Sequence, residues 1–64
     1  MISVNGQPEE FTVESVEALL TRLDIQPRGI AVALNGQVVR RAEWSMTLIA
    51  DESAVEIVTA AAGG

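Results

Sequence analysis

The sequence predicts an α+β fold: a mixed four- to five-stranded sheet with one main helix packed on one face. Three observations predict it. Short apolar runs alternate with polar residues near both ends and in the middle of the chain. A single run, Val16, Leu19, Leu20 and Leu23, instead repeats at i, i+3, i+4 and i+7, the spacing of one helical face. Two Asn-Gly pairs, at 5–6 and 35–36, sit between strand-like runs where tight hairpins need positive φ.

Taken in order, residues 1–5 read as a strand in which Ile2 and Val4 alternate with Ser3 and Asn5. Asn5-Gly6-Gln7-Pro8 supplies the turn, and 9–13 the returning strand, with Phe11 and Val13 on one side. Ser15 is the expected N-cap, its hydroxyl suited to an orphan N–H of the first turn. Glu17 near the start and Arg22 near the end suit the helix dipole. Pro27 and Gly29 close the segment, which places the helix over 15–24.

Residues 30–34 form a third strand, with Ile30, Val32 and Leu34 toward the helix and Ala31 and Ala33 on the other face. Asn35-Gly36 reverses the chain into a fourth strand at 37–39. Residues 40–44 break the alternation as a loop or a single helical turn, and Trp44 is read as its hydrophobic anchor rather than a stacking platform for a ligand. Residues 47–49 add a short extended piece, 51–53 a polar turn, and 55–59 a β-branched last strand. Connection rules favour a mixed sheet with that last strand central, beside the first. This is the β-grasp, or ubiquitin-like, architecture. The division expected is a β-grasp domain at 1–59 and a flexible tail at 60–64, where side chains shrink to three alanines and two glycines.

Composition narrows the function. The 64 residues include no Cys, His or Tyr, and all four cationic residues are arginines. Disulfides and thiolate metal sites are excluded, no metal site is expected, and almost no side chain remains to act as a general base or nucleophile near neutral pH. The chain is therefore expected not to be an enzyme. A net charge of −5 argues against nucleic acid and favours a partner with a basic docking face. Neither a leader-like segment nor an apolar run of membrane-spanning length is present, so the expected setting is cytoplasmic, away from any membrane. What chemistry remains lies in Gly63-Gly64. Without Cβ atoms, such an ending can thread a carboxylate into a channel too narrow for other residues.

The run 30–39, followed by Arg41 and Trp44, together with Val55-Glu56-Ile57-Val58 and Gly63-Gly64, resembles the sulfur carriers of thiamine biosynthesis, the ThiS family. The resemblance implies a protein co-substrate that binds no cofactor itself. A ubiquitin-activating-like adenylyltransferase would use ATP and Mg²⁺ to convert the Gly64 carboxylate to an acyl-adenylate. A persulfide-bearing sulfur donor would then displace AMP, leaving a thiocarboxylate on Gly64, and thiazole synthase would take the sulfur. Gly63 would let the tail pass into the partner sites. The expected docking patch is the helix-free sheet face, with Ala31, Ala33 and Val58, and with Arg41 and Glu56 near its rim. Two departures from the family pattern stand out: Arg40 where Pro is common, and Glu52-Ser53 where Gly-Asp is common. The second predicts a different or mildly strained turn. Three other readings share these features: a carrier for another pathway such as molybdopterin or cysteine formation, a ubiquitin-like protein modifier, and a non-catalytic β-grasp interaction module.

Overall fold

Two Asn-Gly pairs set the frame of the sheet. Asn5 (φ 51) and Gly6 (φ 82), and again Asn35 (φ 50) and Gly36 (φ 87), all take left-handed angles. This combination reverses a chain in two residues with the twist that strands prefer. In the computed structural model, which describes residues 1–59, the first pair joins β1 (Ile2–Val4) to β2 (Gln7–Glu9), and the second joins β3 (Ile30–Leu34) to β4 (Gln37–Val39). β5 (Ala54–Thr59) lies between the two hairpins, parallel to β1 and antiparallel to β3, so the order is β2-β1-β5-β3-β4. The mixed sheet with its last strand central beside the first is as expected.

The first hairpin is tighter than the sequence reading. The return strand was expected at 9–13, yet β2 ends at Glu9, where Ile2 is its partner. The reason is the two-residue turn: pairing starts at Val4↔Gln7 and exhausts β1 after three pairs. Pro8 falls on the edge strand, where its missing N–H costs no ladder bond. Beyond β2, Phe11 and Val13 still pack against the core, without strand pairing.

The helix α1 (Val16–Arg22) begins and ends on identifiable bonds. All four N–H groups of its first turn are satisfied. Val16 donates to the Thr47 carbonyl (3.1 Å), Glu17 to that of Trp44 (3.2 Å), Ala18 to Ser15 Oγ (3.1 Å), and Leu19 to the Ser15 carbonyl (3.0 Å). At the other end the Asp24 N–H donates to the Thr21 carbonyl and the Ile25 N–H to that of Leu20. That is a Schellman cap, with Asp24 (φ 57) in the left-handed position glycine usually fills. The helix thus stops two residues before the expected 24, and the cap, not Pro27, stops it. A carboxylate there also opposes the negative end of the helix dipole. Asp24→Gly is therefore expected to stabilise the fold by about 1 kcal/mol; an unchanged or lower denaturant midpoint would contradict this.

The core joins Ile2, Val4, Val32 and Val55 from the sheet to Val16, Leu19 and Leu20 from α1, with Trp44 and Ile49 from the β4–β5 connection. Each such side chain contributes about 1.5–3 kcal/mol by leaving water. That connection holds the expected single helical turn, a 3-10 turn at Arg41–Glu43. Leu48 then makes an isolated bridge to Ser15. Ser53, expected in a solvated turn, is buried, and its carbonyl accepts from the Ser3 N–H. Glu52 (φ 68) keeps the left-handed angle without a glycine, the mildly strained one of the two turns expected here.

The Glu52 carboxylate contacts the Met1 ammonium, which lowers the Glu52 pKa and raises that of the amine, each chiefly through their hydrogen bond. The lowered acid contributes stability above its ordinary pKa and loses it as pH falls. The raised amine contributes below its ordinary pKa of 8.0 and loses it as pH climbs. Both groups are exposed, so the pair is a minor contributor.

Candidate functional site

The candidate site is built around β5, the strand that leads into residues 60–64. Those five residues, with Gly63 and Gly64, lie outside the described residues. Their root is Thr59, opposite Ile30 in the β3–β5 ladder.

Both Asn-Gly turns clamp β5 as well as reversing the chain. The Asn5 side-chain amide donates to the Ile57 carbonyl (3.1 Å), and Asn5 Oδ1 accepts from the Ile57 N–H (2.7 Å). These two bonds carry β5 past its last ladder pair with β1, Val4↔Val55. At the other end of β5, Asn35 Oδ1 accepts from the Ala54 N–H (2.8 Å), and the Asn35 N–H donates to the Ala54 carbonyl (2.8 Å). Sequence reasoning assigned both asparagines to turn geometry and missed the clamps. The signal that could have found them is an amide side chain at each turn beside a strand inferred to be central.

Asn5→Gly preserves the left-handed turn and removes only the side-chain bonds. It is expected to cost about 1 kcal/mol and to speed amide hydrogen exchange at Ile57. Exchange there at the wild-type rate would show that the clamp does not hold the strand.

The helix-free face of the sheet carries a shallow groove of about 120 Å³, lined by Ala31, Val32, Ala33, Val38, Glu56 and Val58. Register explains it. Ala31 faces Val58, while Ala33 lies between Glu56 on β5 and Val38 on β4. Two small residues on β3 thus make a trough between Val38 and Val58, which are 76% and 58% exposed. Both valines leave their apolar side chains open to solvent on that face. Ala31, Ala33, Val58 and Glu56, nominated from sequence, come together here, and Val38 is added to them.

Arg41 does not join that groove. It lines a separate hollow of about 280 Å³ with Glu17, Leu20, Thr21, Ile25, Pro27 and Trp44. The 3-10 turn carries it toward α1 and away from the helix-free face. Trp44 closes the floor of that hollow. It is buried, and its Nε1–H donates to the Val39 carbonyl (3.0 Å), the arrangement of an anchor.

Comparison with known proteins accords with this fold. The family model described as the ThiS family matches residues 2–64. Over 51 residues the chain is 33% identical to "Sulfur carrier protein ThiS" of Escherichia coli (strain K12), covering 80% of this chain and 77% of that protein. Among solved structures, the thiamine biosynthesis protein (ThiS) from Geobacter metallireducens superposes with a TM-score of 0.81 at 35% identity, covering 91% of this chain and 90% of that one.

Proposed function

The chain belongs to the ThiS family, and on that footing we propose that it carries sulfur as a thiocarboxylate on Gly64 for thiazole formation in thiamine biosynthesis. The observation that carries this reading is a family match that runs through Gly63 and Gly64. A free carboxylate is a poor electrophile, so the first step makes a leaving group. A ubiquitin-activating-like adenylyltransferase joins the Gly64 carboxylate to the α-phosphate of ATP, with Mg²⁺, and pyrophosphate departs. The terminal sulfur of a persulfide-bearing donor then attacks the acyl carbon and AMP leaves. A thiol cleaves the resulting S–S bond to free the thiocarboxylate, and thiazole synthase takes up its sulfur. The chain is the co-substrate in each step and acts in the cytoplasm.

Gly63 contributes by having no side chain to obstruct the channel. The groove at Ala31, Ala33, Val38 and Val58 supplies the apolar part of the docking surface, and Glu56 offers a carboxylate for a basic residue of the partner.

The deciding experiment is intact-mass spectrometry after incubation with a cognate adenylyltransferase, ATP and a sulfide source. The expected product has one oxygen replaced by sulfur, depends on ATP and is trapped by a thiol-selective alkylating agent. Oxidation of Met1 or Met46 gives nearly the same mass change, so the alkylation and a Gly64-deleted control are essential. A folded chain left unmodified by an enzyme that is active on its own carrier would overturn the reading.

A further inference from the structure

Strand register and its flanking turns place three arginines at one end of the sheet and four acidic residues at the other. Arg28 lies two residues before Ile30, which pairs with Thr59 at the root of the tail. Arg40 follows Val39, the last paired residue of β4, and therefore emerges at the same end. Arg41 comes next and shares its hollow with Pro27, the neighbour of Arg28. All three arginines are exposed, and none forms an ion pair among the described residues. The fourth, Arg22, is instead placed over the Phe11 ring at 4.5 Å. Glu17, Glu43 and Asp24, the neighbour of Ile25 in that hollow, border the three arginines without pairing with them, in a chain of net charge −5. At the far end lie Glu9 opposite Ile2, Glu10 beside it, and the Asp51-Glu52 turn against Met1.

We propose that Arg28, Arg40 and Arg41 form a cationic collar at the root of the tail, pairing with carboxylates that rim the mouth of the partner channel receiving residues 60–64. This rests on the function proposed above. Five residues span at most roughly 17 Å, so a partner acting on Gly64 must bring its surface close to Thr59 and the residues around it. A nucleotide that reacts with Gly64 at the far end of a fully extended tail would lie beyond the reach of an arginine side chain anchored at the root. A protein rim is what these cations can meet. The acidic far end would then face away from an acidic mouth, so the charge separation orients the encounter as well as strengthening it.

The test is steady-state adenylation by a cognate adenylyltransferase with the carrier as varied substrate. It compares wild type, the triple reversal R28E/R40E/R41E, the neutral triple R28Q/R40Q/R41Q, and a far-end control, E9R/E10R/D51R, each confirmed as folded by circular dichroism. The triple reversal should raise KM for the carrier by about tenfold or more at low salt, with kcat unchanged. The neutral triple should fall between it and wild type, so the comparison survives if the reversal does not fold. Added salt should shrink the differences, and the far-end control should not raise KM. Equal KM across the variants with an active wild type would overturn the collar alone. An effect confined to KM for ATP would assign these cations to the nucleotide and overturn it too. A wild type inert with an enzyme that adenylates its own carrier would remove the functional reading, and the collar with it.

Discussion

Deleting Gly64 is expected to abolish thiocarboxylate formation while leaving the thermal midpoint where it was. The two halves of that result have different causes. The carboxyl group would remain, now on Gly63, but one residue short of a channel whose depth matches the full tail. Misplacement of a reacting atom by even a fraction of that length costs on the order of 10²-fold in rate. Stability should be untouched because the deletion leaves whole the ladder of the described residues, which runs to Ile30↔Thr59, and terminal residues contribute little to a fold. Gly63→Val tests the other requirement, a slender tail. It keeps the length, adds a β-branched side chain, and should lower adenylation by a similar factor. Both variants are read by ATP-dependent mass change beside a melting curve. A Gly64-deleted chain still converted at the wild-type rate would show that conversion does not need Gly64 and would overturn its assignment as the reacting residue.

Trp44→Ala is expected to be the most damaging single change to the fold, costing about 3–5 kcal/mol. The side chain is 5% exposed and belongs to the core cluster. Its ring NH satisfies the Val39 carbonyl, and its own carbonyl accepts the Glu17 N–H at the start of α1. It therefore ties β4 and the helix to one turn. A chain of 64 residues has roughly 3–10 kcal/mol of stability in all, so the variant should be largely unfolded or close to it. Trp44→Phe keeps most of the ring and loses the bond to the Val39 carbonyl, and should cost less, about 1–3 kcal/mol. Urea titration followed by far-ultraviolet circular dichroism compares all three proteins, since Trp44 is the only tryptophan and its fluorescence is lost on substitution. Near-wild-type stability of Trp44→Ala would reopen a ligand-stacking role for this residue in the neighbouring hollow.

What the sequence revealed, and where it misled, follows from how local each cause is. The strands at 30–34 and 37–39 were legible because a two-residue turn and an alternating pattern specify them within ten residues. The N-cap at Ser15 was legible for the same reason. The first hairpin is shorter than its sequence suggests because Asn5-Gly6 and Pro8 look like one turn, although Pro8 is tolerated on an edge strand. The helix end was missed because its stop signal is an aspartate in a left-handed position, where glycine is the residue one looks for. The helix-free groove could be anticipated from the small residues Ala31 and Ala33. The position of Arg41 could not, because it depends on which way the 3-10 turn leaves the sheet. The β5 clamps at Asn5 and Asn35 depend on contacts across 52 and 19 residues, a separation that no local pattern reports.

The central place of β5 has a consequence for biosynthesis. Of the five strands among the described residues a ribosome makes this one last, yet it alone of the five joins the two hairpins, for β1 and β3 each pair with β5 and not with one another. Until residues 54–59 are free, the nascent chain holds two separate hairpins and a helix with too little sheet to cover it. Isolated hairpins are marginal in water, and closing contacts this distant is a slow, late event in folding. Folding must therefore wait until residues 54–59 have left the ribosome. A product cut short before β5 has no stable domain with which to occupy the partner enzymes, so the molecules that fold are those that also carry the strand leading to the tail.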